Sequence, residues 1–421
     1  MALSLAAPLA HAVPVLSLPG TLAFGNVLVG QSKILALTAT NTSDAGTLAN
    51  ACTNALRLCV TFGGAVDDAG DEFTPNTASA QLGPLGPSTS ATTNFRSRNY
   101  TYTPLVRQSD SATVSVSSNN AARDGTPKSV ALSGTGVAPE NDVDSADAPA
   151  TRVGTTGDAT VTVTNIGDGN LSGLVDSNLV GTVGGPVGDA EFTGPSPDDV
   201  IDLADAADKT FHFAFAPTAR GLFSADVTTS FSNGSDDGTN MAQDVVSSLS
   251  GLGVGPVFES SVAPDDLIDF GLIEPLTMKT FNLVISNITT DLDFDIALNG
   301  LTLLDVVFSG ADPVLFSIDG GFSPVVLDPD GVAMTTLTIK YSAPSGHGLA
   351  HSAILTILTD QGAAFDGEGQ SFAFNLAGGT TDPKDEPGPG NGTTIPEPDA
   401  LLLLGAAMLI LGGLVRVRAA A

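Results

Sequence analysis

Tryptophan is absent from the 421 residues, tyrosine occurs three times, histidine four times and cysteine twice. Cations are scarce too: 15 Lys and Arg stand against 46 Asp and Glu, a formal net charge of -31. So anionic a surface repels phosphate backbones, which removes nucleic acid from the candidate partners. A chain without Trp has little to stack on sugar rings, which counts against a glycosidase platform. No Gly-x-Ser-x-Gly elbow, Walker loop or His-Glu-x-x-His segment occurs, so the familiar hydrolase, nucleotide and zinc-protease signatures are missing.

Acidity alone would suit a disordered chain, but 42% hydrophobic residues and a mean hydropathy of +0.23 supply cores. The length predicts two to four domains. Gly (47) and Pro (26) are plentiful, together with Thr, Ser, Val and Asp. That mixture disfavours helix interiors and suits short strands joined by turns. The composition predicts an all-β protein.

Between its ends the chain repeats with a period of about 120 residues, too long for a solenoid and suited to a string of domains. Each copy opens on a strand ending in Asn: Ile34 to Asn41, Ala159 to Asn165 and Phe281 to Asn287. Val161 and Val163 alternate with Thr160, Thr162 and Thr164, the period of a half-buried strand. An aromatic strand closed by proline follows in each: Tyr100-Thr101-Tyr102-Thr103-Pro104, Phe211 to Pro217 and Leu337 to Pro344. Each copy finishes on a glycine strand: Leu132-Ser133-Gly134-Thr135-Gly136, Leu249-Ser250-Gly251-Leu252-Gly253 and a degraded Leu376-Ala377-Gly378-Gly379.

This order resembles the choice-of-anchor D domain, a bacterial family similar to the Hydin-like (ASH) immunoglobulin-type sandwich. Phe24-Gly25 and Phe270-Gly271 match the family's opening Phe-Gly, which the second copy lacks. The resemblance implies three tandem immunoglobulin-like sandwiches, over 13–138, 139–256 and 257–379, and no common active site. The Gly, Pro and Asp in 138–150 and 255–264 predict exposed linkers between them.

The two ends read as export signals. Residues 1–12 resemble the end of a secretory signal peptide, with Ala10-His11-Ala12 in small-x-small form. No Lys or Arg precedes Lys33, so either the positive region lies upstream of this start, the preferred reading, or the segment is no signal. At the other end a flexible Pro/Gly-rich linker, 380–394, leads to Pro396-Glu397-Pro398, an apolar run from Ala400 to Val415, then Arg416 and Arg418. The run is slightly shorter than the roughly 20 residues a spanning helix prefers, and the arginines place its far end in the cytoplasm.

Residues 395–421 resemble the PEP-CTERM sorting signal of Gram-negative bacteria. The resemblance implies recognition of Pro396, Glu397 and Pro398 by exosortase, a membrane-embedded cysteine enzyme, one C-terminal transmembrane helix over 400–415, and passage through the Sec translocon. Ile395 stands where valine is usual, and Val417 separates the two arginines.

Side chains that could carry chemistry are few. His212 lies between two phenylalanines, and His347 and His351 sit among glycines near Pro344, a poor setting for a helical metal pair. Asp291, Asp293 and Asp295 alternate with Leu292 and Phe294, which would put three carboxylates on one strand face. Asp198, Asp199, Asp202, Asp205 and Asp208 are expected to cluster in a loop, and Asp328-Pro329-Asp330-Gly331 reads as a turn. Each offers hard oxygen ligands for Ca²⁺, though none has EF-hand spacing. No other cofactor is expected.

The reading is a non-enzymatic, exported structural or adhesive protein of the cell surface or an exopolysaccharide matrix. The alternatives are an exported polysaccharide-active hydrolase and a Ca-dependent carbohydrate-binding adhesin. Cys52 and Cys59 are expected to pair if the chain is exported; a metal site would need further ligands, and no His lies nearby. Thiol labelling of protein from the envelope is therefore expected to find no free thiol. Because the loop is small, replacing both cysteines by Ser should cost less than the usual roughly 2–4 kcal/mol in a denaturant melt.

Overall fold

In a computed structural model of the chain, one strand order is built three times. The structure describes residues 14–43, 58–67, 71–76, 81–119, 125, 127–168, 178–196, 198–290, 296–329, 331–361 and 371–382. In the first sandwich, Leu16–Ser17, Lys33–Asn41, Phe95–Tyr102 and Phe73–Pro75 form one sheet in that order. Thr21–Leu28, Lys128–Val137, Ser109–Ser118, Leu58–Asp67 and Gln81–Leu85 form the facing sheet.

The second sandwich repeats this with Asn141–Ala146, Gly157–Asn165, Asp208–Phe215 and Phe192–Ser196. They face Thr151–Arg152, Gln243–Val254, Gly221–Phe231, Leu179–Val183 and Val200–Leu203, with Val187–Gly188 added beside Gly221–Phe231. In the third, Phe258–Ser260, Met278–Asn287, Met334–Ser342 and Phe316–Ile318 face Leu267–Ile273, Ser371–Thr380, Ala350–Thr359, Leu301–Ser309 and Val325–Leu327. Each sandwich contains one parallel pair, between its second strand and its last. Among the described strands the other pairings are antiparallel, as expected of two-sheet sandwiches. A short helix, Ile296–Asn299, precedes Leu301.

Alternation decides which side chains go inside. Val161 and Val163 are fully buried while Thr160, Thr162 and Thr164 beside them are half-buried, and Leu283 and Ile285 repeat the arrangement. Each sandwich closes its own apolar core. The aromatic strand supplies the centre: Tyr102, Phe215 and Tyr341 are each paired directly across strands with Phe73, Phe192 and Phe316. Those rings stack at centroid distances of 4.6, 4.8 and 5.1 Å. Phe24 packs against the pair in the first sandwich and Phe270 in the third.

The repeated glycines belong to the same centre. A Cβ on Gly134 would stand 2.4 Å from the Tyr102 ring, on Gly251 2.7 Å from Phe215, and on Gly378 2.7 Å from Tyr341. Each glycine lets the last strand pass beneath the aromatic ring. Gly136 and Gly253 give the same clearance to Pro104 and Pro217, at 2.7 and 2.9 Å. In the third copy Ala343 intervenes before Pro344, and Thr380 stands two residues beyond Gly378, its hydroxyl accepting from the backbone N–H of Leu349.

The Phe-Gly pair also has a conformational reason. Gly25 and Gly271 have φ of 68° and 64°, the left-handed region where a side chain is disfavoured. The parallel ladders shift register there. The ammonium groups of Lys33 and Lys279 donate to the carbonyls of Phe24 and Phe270 beside the kinks. In the second copy the corresponding strand is only Thr151–Arg152, and Phe223 contacts the Phe215 ring at 5.8 Å.

The structure corrects the expected linkers at their starts, while Asp142, Asp144 to Asp147, Ala263 and Pro264 are exposed. Ala138 and Pro139 are buried, Asn141–Ala146 is a strand, and Gly255, Pro256 and Val257 are buried. The first strand of each following sheet starts so soon that the Gly and Pro residues turn inside closed joints. Gly251→Val should therefore destabilise the second sandwich by about 1–3 kcal/mol or more through overpacking. Differential scanning calorimetry of the full chain checks this, and an unchanged profile would remove the glycine–aromatic packing argument.

Candidate functional site

The best-defined polar constellation is one asparagine used three times. Asn41, Asn165 and Asn287 end the strands that open each copy, and all three are fully buried. Buried amides are costly unless every donor and acceptor finds a partner. Asn165 Oδ1 accepts from the backbone N–H groups of Glu140 and Gly167, both at 3.1 Å. Its Nδ2 donates to the carbonyls of Leu203 and Ala204, both at 3.2 Å.

Asn287 Oδ1 accepts from Val257 at 3.0 Å and Thr289 at 3.3 Å, while Nδ2 donates to Asn299 at 2.7 Å and Leu327 at 3.2 Å. Asn41 Oδ1 accepts from Val15 and Ser43, both at 3.1 Å, and Nδ2 donates to Gly86 at 2.9 Å. In each case one amide ties the incoming chain and its own turn to the edge of the opposite sheet.

Other buried polar side chains are engaged in the same manner. Arg98 is 5% exposed and donates to the carbonyls of Phe62 and Gly63. Tyr102 donates to Asp110 at 2.5 Å, and burial, followed by that carboxylate, raises its pKa. Burial likewise raises Tyr341, whose hydroxyl lies 2.7 Å from Nδ1 of His351.

The expected functional residues are dispersed. His212 lies on an outward strand face, half exposed, with Nδ1 2.7 Å from Asp158. His347 Nδ1 is 3.2 Å from the carbonyl oxygen of Thr381, and His351 points into the third core. Asp202 and Asp208 lie on two different strands, and Asp198 pairs with Lys209, whose hydrogen bond holds its carboxyl below the usual range. Hydrogen bonds from Ser235 and Thr239 hold Asp237 at about 2. Among the described residues no group of three or more His, Cys, Asp and Glu side chains is placed to hold a metal ion.

Cys59 is disulfide-bonded and buried. Cys52, Asp291, Asp293, Asp295 and Asp330 lie outside the described residues, as do residues 1–12. So do Pro396, Glu397, Pro398, the run 400–415, Arg416 and Arg418. Among the described residues no helix is long and apolar enough to cross a membrane. The strand-ending asparagines stand out in the sequence, but their role depends on where their partners lie. Nothing local in the sequence marks Arg107 and Arg152, whose partners lie in neighbouring sandwiches.

No family model matches the chain, and no curated protein matches it. Among solved structures, the human desmocollin-1 ectodomain is 11% identical with a TM-score of 0.30, covering 89% of this chain and 62% of that one. An ASH/PapD-like domain of human CEP192 is 15% identical with a TM-score of 0.22, covering 27% and 85%. A protein of unknown function from Porphyromonas gingivalis W83 is 12% identical with a TM-score of 0.21, covering 57% and 99%. At these values the likenesses carry no argument about activity or partner.

The clamp is directly testable. Asn165→Ala leaves several buried backbone groups unpaired at about 1–3 kcal/mol each, so the second sandwich should lose about 3 kcal/mol or more in a denaturant melt. Asn165→Asp cannot donate to Leu203 and Ala204 while ionised, so its folded pKa should rise. That variant should be most stable below about pH 4 and weaken as pH rises through the folded pKa. A pH-independent melt would argue against the amide's donor role.

Proposed function

We propose that this chain is a non-enzymatic, exported bacterial surface or matrix protein: three immunoglobulin-like sandwiches carried on a C-terminal sorting signal. The tandem β-sandwich architecture is consistent with an adhesive or structural role. The observation that carries the reading is where the repeated motifs go. The Asn, the aromatic–proline strand and the paired glycines are all used in closing cores and joints. Residues repeated for scaffold reasons are what the choice-of-anchor D resemblance implies.

The sorting half of the proposal rests on the C-terminal sequence. Two prolines flanking Glu397 fix φ at two positions and withhold two backbone donors. The segment then stays extended beside the bilayer, open to a processing enzyme's cleft, with Glu397 as a readable charge. The run 400–415 holds the substrate at the enzyme's depth, and Arg416 and Arg418 keep the tail on the cytoplasmic side. Exosortase and the Sec translocon are the proposed export partners, and exopolysaccharide the proposed extracellular one.

In the native host, mature protein is expected to lack everything after the Pro-Glu-Pro segment, and Pro396→Ala with Glu397→Ala should leave a longer, membrane-held form. C-terminal peptide mapping checks both. Recovery of Arg416 and Arg418 in the bulk of surface-located molecules would sink the sorting proposal. Incubation of the protein with polysaccharides separates the scaffold from a hydrolase: released oligosaccharide would overturn the non-enzymatic reading.

A further inference from the structure

The two joints between sandwiches are each crossed by one arginine, in opposite electrostatic settings. Arg107, in the turn after Phe95–Tyr102, reaches the second sandwich. Its Nε donates to Asp168 Oδ2 at 2.7 Å, Nη1 to Glu140 Oε2 at 3.1 Å, and its backbone N–H to Gly238 at 3.0 Å. The three side chains remain 37%, 20% and 27% exposed for Arg107, Glu140 and Asp168. Arg152, at the end of Thr151–Arg152, reaches the third sandwich. Its Nη1 donates to the carbonyls of Leu298 and Gly300 at 2.8 and 3.1 Å, and Nη2 to the carbonyl of Asp360 at 3.1 Å. The Asp360 carboxylate lies 3.3 Å away; the Arg152 side chain is 16% exposed and that of Asp360 34%.

Charge is divided unevenly across these joints. Residues 13–138 hold seven Lys and Arg against seven Asp and Glu. Residues 139–256 hold three against eighteen, and 257–379 two against sixteen. The first joint therefore connects a neutral body to an acidic one, and the second connects two strongly acidic bodies.

We infer that the joints respond to salt in opposite senses: rising ionic strength loosens the first and does not loosen the second. At the first joint the side-chain hold of Arg107 is a partly exposed attraction between charges, which salt screens. Beside it, neutral hydrogen bonds that salt barely changes run from the Arg107 N–H to Gly238 and from Asn240 to Val29. No net repulsion between the flanking bodies exists there for salt to relieve. At the second joint the guanidinium is held mainly by shielded carbonyls, short-range contacts that salt barely weakens. Salt there also screens the repulsion between two anionic sandwiches. The ionic-strength-dependent joint is thus the one between the first and second sandwiches.

Limited proteolysis of the full chain tests this, because cutting at 138–141 or 254–258 requires each closed joint to open. NaCl is varied from about 10 mM to about 1 M, which shortens the Debye length from about 30 Å to about 3 Å. The ratio of first-joint to second-joint cutting within the same molecules cancels the protease's own salt response. That ratio should rise about fivefold across the series. Arg107→Ala should give a high ratio already at low salt and flatten its rise with salt to the part contributed by the second joint. Arg152→Ala should instead raise second-joint cutting, most of all at low salt. Glu140→Gln with Asp168→Asn removes the ion pairs while keeping the arginine, and should reproduce Arg107→Ala. A ratio that stays constant or falls with salt overturns the inference, as does a salt response of undiminished size in both first-joint variants.

Discussion

The feature on which the rest depends is a carboxamide buried where two sheets and an incoming chain meet. A sandwich core can be closed by apolar packing, but packing alone does not fix where the chain enters. Asn165 and Asn287 fix it by accepting from the N–H groups of Glu140 and Val257 while donating across to Leu203 and Leu327. An amide suits this place because one side chain both accepts and donates without charge. A carboxylate would lack the donors, and an apolar residue would orphan the backbone groups it now serves. Since Glu140 and Val257 lie at the joints, the same amide that orders a sandwich also sets where the preceding one ends.

Scarce cations are distributed with the same economy. Lys33, Lys279, Arg98 and Arg152 donate to backbone carbonyls, and Lys128 donates to the carbonyl of Leu16. An anionic chain has many carboxylates available, yet these cations are placed where irregular backbone leaves oxygen atoms short of donors. Arg107 is spent on carboxylates, and it does so at a joint where a neutral sandwich meets an acidic one. The acidic surface keeps molecules apart in solution, while the cations hold each molecule together.

The three copies also show how one packing solution tolerates change. The cross-strand aromatic pair is kept in all three, and the glycine under it is kept as well. The Phe-Gly kink is replaced in the second copy by a two-residue strand, with Phe223 reaching the aromatic pair. That shortened strand ends in Arg152, which crosses to the third sandwich. Departure from the repeat in one core thus coincides with a side chain used between cores.

Much of this was legible in the residues themselves. Alternation at Val161 and Val163, the proline closing each aromatic strand, and the recurrence of Asn, aromatic and glycine in one order determine an all-β tandem, because strand periodicity and turn chemistry are local properties. The disulfide expectation and the C-terminal order of Pro396, Glu397, Pro398, Arg416 and Arg418 are likewise sequence readings, resting on residue order alone. What only the tertiary structure decided is the use of those residues. Gly134 is needed because Tyr102 arrives from the other sheet, and Asn165 is buried because Leu203 and Glu140 converge on it from segments distant in sequence. The Gly, Pro and Asp residues near 138 and 255 looked like linkers because composition reports local stiffness and polarity. They are closed joints because the next sheet, the buried amide and a single arginine meet there, a long-range coincidence of partners that no local pattern records.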